Sequence, residues 1–380
     1  MSEKVKLGEL YNISSGGTPS KKNKEYYENG TIKWVKTGDL KEKYLYDVGE
    51  YITKEGLDNS SAKIYDADTV LLAMYGATIG ATSILKTEAC TNQACASFKK
   101  IERIIPEYLY YFLKSKKDKF VKDSFGGAQP NISISYLKNI EINLIGKDVQ
   151  FKIVNELDRI ENIIKLKKEQ IKKLNELIKS QFVEMFGDPI DNPKNNRIVK
   201  LSDIAEYWNG LTYKPTDVSK EGTIVLRSSN IKNSQLDFED VVRVKCNIKE
   251  KQYVKDNDIL MCSRNGSARL VGKVAVIKNL KEEMTFGAFM MIIRSKYYPY
   301  LFSYFQTDAF RNQIKSGATT TINQITGNML NKIKLPLPNM EEINRFADWV
   351  KQIDKQKFEI ENSLKEMQEL YESLMEKYFG

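Results

Sequence analysis

The sequence predicts an α+β protein in which two tandem, strand-rich modules are each followed by a long α-helix, the two helices packing as an antiparallel coiled coil. Three observations carry this expectation. The first is an internal repeat. Pro106 matches Pro299, Tyr111-Phe112 matches Tyr304-Phe305, Leu137 matches Leu330, Ile140 matches Ile333 and Phe186-Gly187 matches Phe379-Gly380, every pair 193 positions apart. The second is a pair of heptad stretches, one closing each half. The third is a set of short β-like runs separated by Gly, Ser, Thr and Asn in the rest of each half.

Upstream the copies persist with small changes in length. Val5-Lys6-Leu7 answers Val199-Lys200-Leu201, and Asp66 with Asp68 answers Asp256 with Asp258. The halves meet in the polar, Pro-containing stretch from Gly187 to Asn196, which reads as a linker. The expected organisation is a first module over 1–148, a helix over 149–187, a linker over 188–198, a second module over 199–339 and a closing helix over 340–380.

Strands are expected over Ile32 to Lys36 and Thr69 to Ala73 in the first half, and over Ile224 to Leu226 and Ile259 to Met261 in the second. An aromatic helix follows in each, Glu107 to Leu113 and Tyr300 to Phe305, starting just after a proline, whose missing amide hydrogen costs nothing in a first turn. Its aromatics are spaced for packing, so it belongs to the core. In the first long helix Ile153, Leu157, Ile160, Ile164, Ile171, Leu174, Ile178 and Met185 recur in steps of three and four, with Lys167 and Gln181 in the same series. In the second, Phe346, Val350, Ile353, Ile360, Leu364, Met367, Tyr371, Leu374 and Tyr378 do so, with Lys357 at the place of Lys167. Neither seam can remain in water, and mutual burial is the expected solution. Charge agrees. Val149 to Met185 holds eight basic and six acidic residues, Met340 to Tyr378 six and ten, which favours association of unlike helices over self-pairing.

Composition narrows the function. With 380 residues, 59 Lys and Arg, 50 Asp and Glu and a net charge of +9, the chain is globular and suited to a polyanionic partner. It has no His, which excludes Ser-His-Asp and Cys-His catalysis and His-ligated zinc. There is no G-x-x-x-x-G-K-[ST] loop, no G-x-G-x-x-G after a strand, and no Asn-Pro-Pro-aromatic or Asp-Pro-Pro-aromatic tetrapeptide. The Asp66/Asp68 and Asp256/Asp258 pairs fit turns entering strands rather than metal sites. Cys90, Cys95, Cys246 and Cys262 form no C-x-x-C pair, and no signal peptide is recognisable, so reduced thiols and a cytoplasmic location are expected. The uncharged stretch from Thr69 to Leu85 contains Gly76, Gly80 and three Thr, and reads as strand, turn and strand rather than as a membrane span.

The segments Ile13 to Ser20, Trp34 to Leu40 and Gly127 to Ile132, together with heptad helices ending in Phe-Gly, resemble the specificity subunit of type I restriction–modification systems over essentially the whole chain. The resemblance implies that the modules are target-recognition domains, that the helices are a spacer docking two methyltransferase subunits and, through them, restriction/translocase subunits, and that this chain has no catalysis or cofactor of its own. S-adenosylmethionine, ATP and Mg would belong to the partner subunits. The second module departs from the first at Trp208 to Pro215 and Leu226 to Ile231, implying a different half-site and hence a split, asymmetric double-stranded DNA target.

Phosphates call for Lys, Arg and backbone amides, and base edges for Arg, Asn, Gln or Ser. The candidates on loop-like segments are Gly17, Thr18, Lys21, Lys22, Lys24, Lys36, Gln129 and Asn131 in the first module, and Arg227, Asn230, Arg264, Asn265 and Arg269 in the second. Gly16-Gly17 suggests a tight turn that brings amides to phosphate. Arg264-Asn265 on a Gly turn is the strongest pair, suited to bidentate contacts with guanine and adenine. A helix of about 37 residues spans roughly 55 Å, or about 16 base pairs of duplex, so two short half-sites with an unread gap are expected. A self-sufficient DNA modification enzyme and a coiled-coil scaffold that binds no DNA are the competing readings.

Overall fold

The computed structural model describes residues 3–126, 130–316 and 324–380. Two compact units divide the chain. Residues Met1–Lys168 with Asn362–Gly380 form one, and Glu169–Glu361 the other, so each long helix contributes to both.

In the first unit a five-stranded sheet has the order Ser14–Ser15, Cys95–Phe98, Val70–Ala73, Thr82–Leu85, Tyr44–Leu45. Val70–Ala73 is buried along its whole length, because the sheet is covered on both faces and an alternating pattern would leave polar groups inside. The uncharged stretch after Thr69 is strand, 3-10 turn (Gly76–Thr78) and strand, as its glycines predict. A four-stranded sheet places Ile32–Val35 between Tyr51–Ile52 and Ala89–Thr91, with Ile64–Tyr65 at its edge. The helix Pro106–Ser115 buries Tyr108 to Leu113 against the five-stranded sheet. Its aromatics are core, as their spacing requires.

The second unit repeats this plan with other side chains. Glu206–Asn209, Met290–Arg294, Ile259–Cys262 and Val274–Val276 make the equivalent sheet, and Thr223–Leu226 pairs parallel with Met284–Phe286 as Ile32–Val35 pairs parallel with Ala89–Thr91. Each half is also closed by one antiparallel pair, with Val5 opposite Ile142 in the first and Val199 opposite Leu335 in the second. Asp258 is 1% exposed and its carboxylate takes two hydrogen bonds from Arg294, 2.7 and 2.6 Å long. Asp68 accepts from Lys86 and Lys100, and those bonds hold its carboxyl below the usual range. Both aspartates anchor the turns in which the sequence places them.

The long helices run Lys147–Phe186 and Met340–Phe379. In the first unit Ile153, Leu157 and Ile160 share a core with Leu374 and Phe379; in the second, Phe182 and Phe186 share one with Ile343 and Phe346. The start of one helix thus lies with the end of the other, an antiparallel pair. The two Phe-Gly ends do the same job. Phe186 meets Tyr300 with ring centroids 5.2 Å apart, and Phe379 meets Tyr108 at 5.3 Å. Gly187 then stops the first helix with φ of +78°, its amide donating to the Val183 carbonyl.

Burial along the seam is graded. Ile153, Leu157, Ile160, Phe346 and Ile353 are fully buried, whereas Ile164, Ile171, Leu174, Val350, Ile360, Leu364 and Met367 are half-buried. Lys357 is a buried exception, its ammonium 4.0 Å from Asp354 one turn earlier. Opposite charges also join helix to module. Glu161 accepts from the hydroxyls of Tyr111 and Tyr371, each at 2.9 Å, and pairs with Lys114. Burial pushes the Glu161 carboxyl up, and Lys114 and the two tyrosines outweigh that and hold it below its ordinary value. Among the described residues no helix is long and apolar enough to cross a membrane.

Candidate nucleic-acid interface

Cations that can meet a polyanion are those exposed and free of internal acids. In the first module Lys21, Lys22 and Lys24 qualify. They flank a short 3-10 turn, Lys24–Tyr26, capped by the Asn23 side chain accepting from the Glu25 amide at 3.1 Å. Among the described residues no carboxylate pairs with any of the three. Lys36 stands at the end of Ile32–Val35, its amide donating to Asp39 at 2.8 Å and its ammonium already paired with Glu50. Thr18 donates to Gln93. Asn131 is exposed, and Gln129 lies outside the described residues.

Gly17 corrects the expectation placed on it. It is buried, its amide donates to the Thr91 carbonyl at 2.9 Å and its carbonyl accepts from the Trp34 indole at 3.0 Å. A Cβ on Gly17 would collide with Ser61 and Ala62, and one on Gly16 with the Thr91 carbonyl. The glycines are small because two backbones cross there, and their polar groups are spent inside the module.

In the second module Arg227 occupies the place of Lys36. Its guanidinium is 2.8 Å from Asp240, repeating the Lys36–Glu50 arrangement. Asn230 corrects a second expectation. It is fully buried, its carbonyl accepts from the Arg227 amide and its NH2 group donates to the carbonyls of Asp237 and Asp240, all at 2.9 Å. With three of its four bonds made inside the protein, it shapes the loop and has nothing to offer a base. Asn265 is half-committed, donating to Ser228 at 3.1 Å and accepting from the Ser267 amide at 2.9 Å. Arg264 and Arg269 are exposed, and among the described residues neither pairs with an acid. The Arg264 guanidinium lies over the Phe289 ring, 5.4 Å from its centroid.

Two large apolar side chains escaped sequence reasoning. Phe125 is 76% exposed beside Asn131, and Phe289 is 60% exposed beside Arg264. A single phenylalanine in a Gly-rich loop has no periodicity from which exposure can be read. In duplex readout, apolar side chains beside polar ones are suited to the thymine methyl group in the major groove.

The chain matches the type I restriction modification DNA specificity domain twice, over residues 2–176 and 193–370. It belongs to that family. The two matches coincide with the two halves of the repeat, so each half is one specificity domain. Among similar proteins, the MjaIX specificity subunit of Methanocaldococcus jannaschii is 32% identical over 225 residues, covering 54% of this chain and 52% of that one. The EcoR124I/EcoR124II specificity subunit of Escherichia coli is 26% identical over 48% of this chain and 46% of its own length. The chain therefore spans about half the length of these two relatives, and 86% of the MjaVIII specificity subunit of M. jannaschii at 21% identity. The fold is that of a type I S subunit from M. genitalium, with a TM-score of 0.58, 15% identity, and 100% of this chain and 96% of that one covered. A chain from a structural study of complex assembly in a type I R-M system superposes with a TM-score of 0.63 at 17% identity, covering 100% and 97%.

Proposed function

We propose that this specificity-domain chain reads a split, asymmetric target on double-stranded DNA and serves as the non-catalytic adaptor on which two methyltransferase subunits, and through them restriction/translocase subunits, assemble in the cytoplasm. One observation carries the reading. Two copies of one scaffold keep the same central strands while their edge strands and the exposed side chains on equivalent loops differ, as two readers of different half-sites require. The positive net charge supplies the sequence-independent part of the affinity. S-adenosylmethionine, ATP and Mg belong to the partner subunits in this reading.

The test is to map methylated motifs in cells with and without this chain, its methyltransferase partner present in both. A bipartite motif that appears only with the chain supports the adaptor. Methylation by the isolated chain with labelled S-adenosylmethionine would instead make it an enzyme. DNA affinity without a steep salt dependence, or without residual base preference at high salt, would make it a scaffold.

A further inference from the structure

The two modules can be laid over each other through their hydrogen bonds, without reference to side chains. In the first, Cys95 lies opposite Ala73; in the second, Met290 lies opposite Cys262. One residue on, Met74 donates its amide to Ala94 and accepts at its carbonyl from the Ile132 amide, 3.0 Å away. Ser263 donates to Phe289 and accepts from Ile325 at 2.6 Å. The next residue makes an isolated antiparallel bridge in both, Tyr75 with Asn131 and Arg264 with Gln324. Tyr75 and Arg264 are therefore one position of the fold, and Asn131 and Gln324 are another.

All four side chains are exposed. Residues opposite each other across an antiparallel bridge have Cβ atoms about 4.5–5.5 Å apart and project from one face. Each module thus presents two adjacent side chains at the end of a fully buried strand, set on backbone that cannot shift without breaking the core. Beside each pair stands an exposed ring, Phe125 hydrogen-bonded through its backbone to Asn131 at 2.9 and 2.8 Å, and Phe289 under the Arg264 guanidinium. Among the described residues none of the four side chains makes a hydrogen bond, and a rigid platform, two such polar groups and a ring are what base reading needs.

We propose that Tyr75 with Asn131 and Arg264 with Gln324 are the equivalent base-reading pairs of the two modules, and that their difference sets the difference between the half-sites. The inference rests on the DNA-reading function proposed above. Arg264 has the fork that fits O6 and N7 of guanine, and Gln324 the amide that fits N6 and N7 of adenine, so the second half-site holds a guanine and an adenine at adjacent pairs. Asn131 likewise fits adenine in the first half-site. Tyr75 offers a ring and one hydroxyl, and it reads the neighbouring pair without the guanine fork.

The test uses the full chain, purified, and a duplex library with a randomised stretch, sequenced after selection at two salt concentrations. Wild type is expected to select two base clusters. Arg264→Ala and Gln324→Ala should each lose about five- to 150-fold of discrimination at one base pair of one cluster and leave the other cluster intact. The exchange Tyr75→Arg with Asn131→Gln should bring a guanine–adenine preference into the first cluster. All four positions are exposed, so melting temperatures should stay within about 2 °C of wild type, and the single alanine variants decide the question if the exchange folds poorly. Wild-type selectivity that survives both alanine substitutions unchanged, or a uniform loss across all sequences, would overturn the pair assignment alone. A wild-type chain with no base preference at all would overturn the DNA-reading function together with it.

Discussion

Replacing Asn230 with Ala separates a residue that shapes the interface from one that reads it. The side chain is fully buried and makes three hydrogen bonds of 2.9 Å to the Arg227 amide and to the carbonyls of Asp237 and Asp240. At roughly 0.5–1.5 kcal/mol net for each, with three backbone groups left without their partner, the substitution should destabilise the second unit by about 2–4 kcal/mol. In a unit of roughly 200 residues that corresponds to about 6–12 °C in Tm. The assay is thermal unfolding of the full chain, with Arg269→Ala as the comparison. Arg269 is exposed and has no acid partner among the described residues, so its removal should change stability by less than about 0.5 kcal/mol while lowering DNA affinity for all sequences and the salt slope by about 1. Asn230→Ala with unchanged melting and a relaxed base preference would refute the reasoning, because it would show the amide facing DNA rather than its own loop.

Three further outcomes follow from the geometry. Glu161 has its carboxyl held below the ordinary value in the folded state, so its contribution to stability is present above the usual carboxylate range and is lost as pH falls through the folded value; Glu161→Gln should flatten the acid limb of urea midpoints measured from pH 6 to 3, and an unchanged limb would contradict the network. Burial pushes the Cys90 thiol up to about 11 and the Cys95 thiol to about 12, and Cys262 is buried as well, so at pH 8 a thiol reagent should label Cys246 first and fast labelling should vanish in Cys246→Ser. Ile160→Asn and Ile353→Asn each place an amide in a buried seam position and should cost about 2–5 kcal/mol, read as an earlier urea transition; retention of wild-type stability by both would show that the seam is misassigned.

Periodicity made the architecture legible. The heptad series from Ile153 and from Phe346 identified the buried face of each long helix, because burial repeats every three or four residues and leaves a mark in composition. The aromatic helix was legible for the same reason, and the repeat made each reading support the other. The candidate interface was legible only in part. Lys21, Lys22, Lys24, Arg264 and Arg269 are exposed and unpaired with acids among the described residues, as their place in polar loops suggested. Gly17 and Asn230 were misread, because a loop glycine or asparagine has the same composition whether its polar groups turn outward to a ligand or inward to backbone. Tyr75, Gln324, Phe125 and Phe289 were not among the candidates, because what distinguishes them is the residue each one faces, and that is fixed by the fold rather than by spacing in the chain.

The two halves also show how a recognition scaffold can diverge without losing its fold. At the end of equivalent strands, the Lys36 amide is held by Asp39 and the Arg227 amide by Asn230, and each cation reaches an acid on a neighbouring loop, Glu50 or Asp240. The bonds are retained while the residues that make them change. Tyr111 and Tyr304 occupy one position, yet the first hydroxyl donates to Asp158 and Glu161 on the long helix, whereas the second accepts from Gln313 at 2.9 Å. Both rings are fully buried, and both must be, since emptying either site would cost several kcal/mol. Exposed positions carry no such penalty. Substitution at an exposed residue like Tyr75 or Arg264 costs a few tenths of a kcal/mol in stability and, in the base-reading role proposed above, would change discrimination at a base pair by as much as about 3 kcal/mol. Selection for a new target therefore meets little resistance from folding at these positions and strong resistance at the seam and the aromatic helix, which is why the repeat is visible in the chain at all.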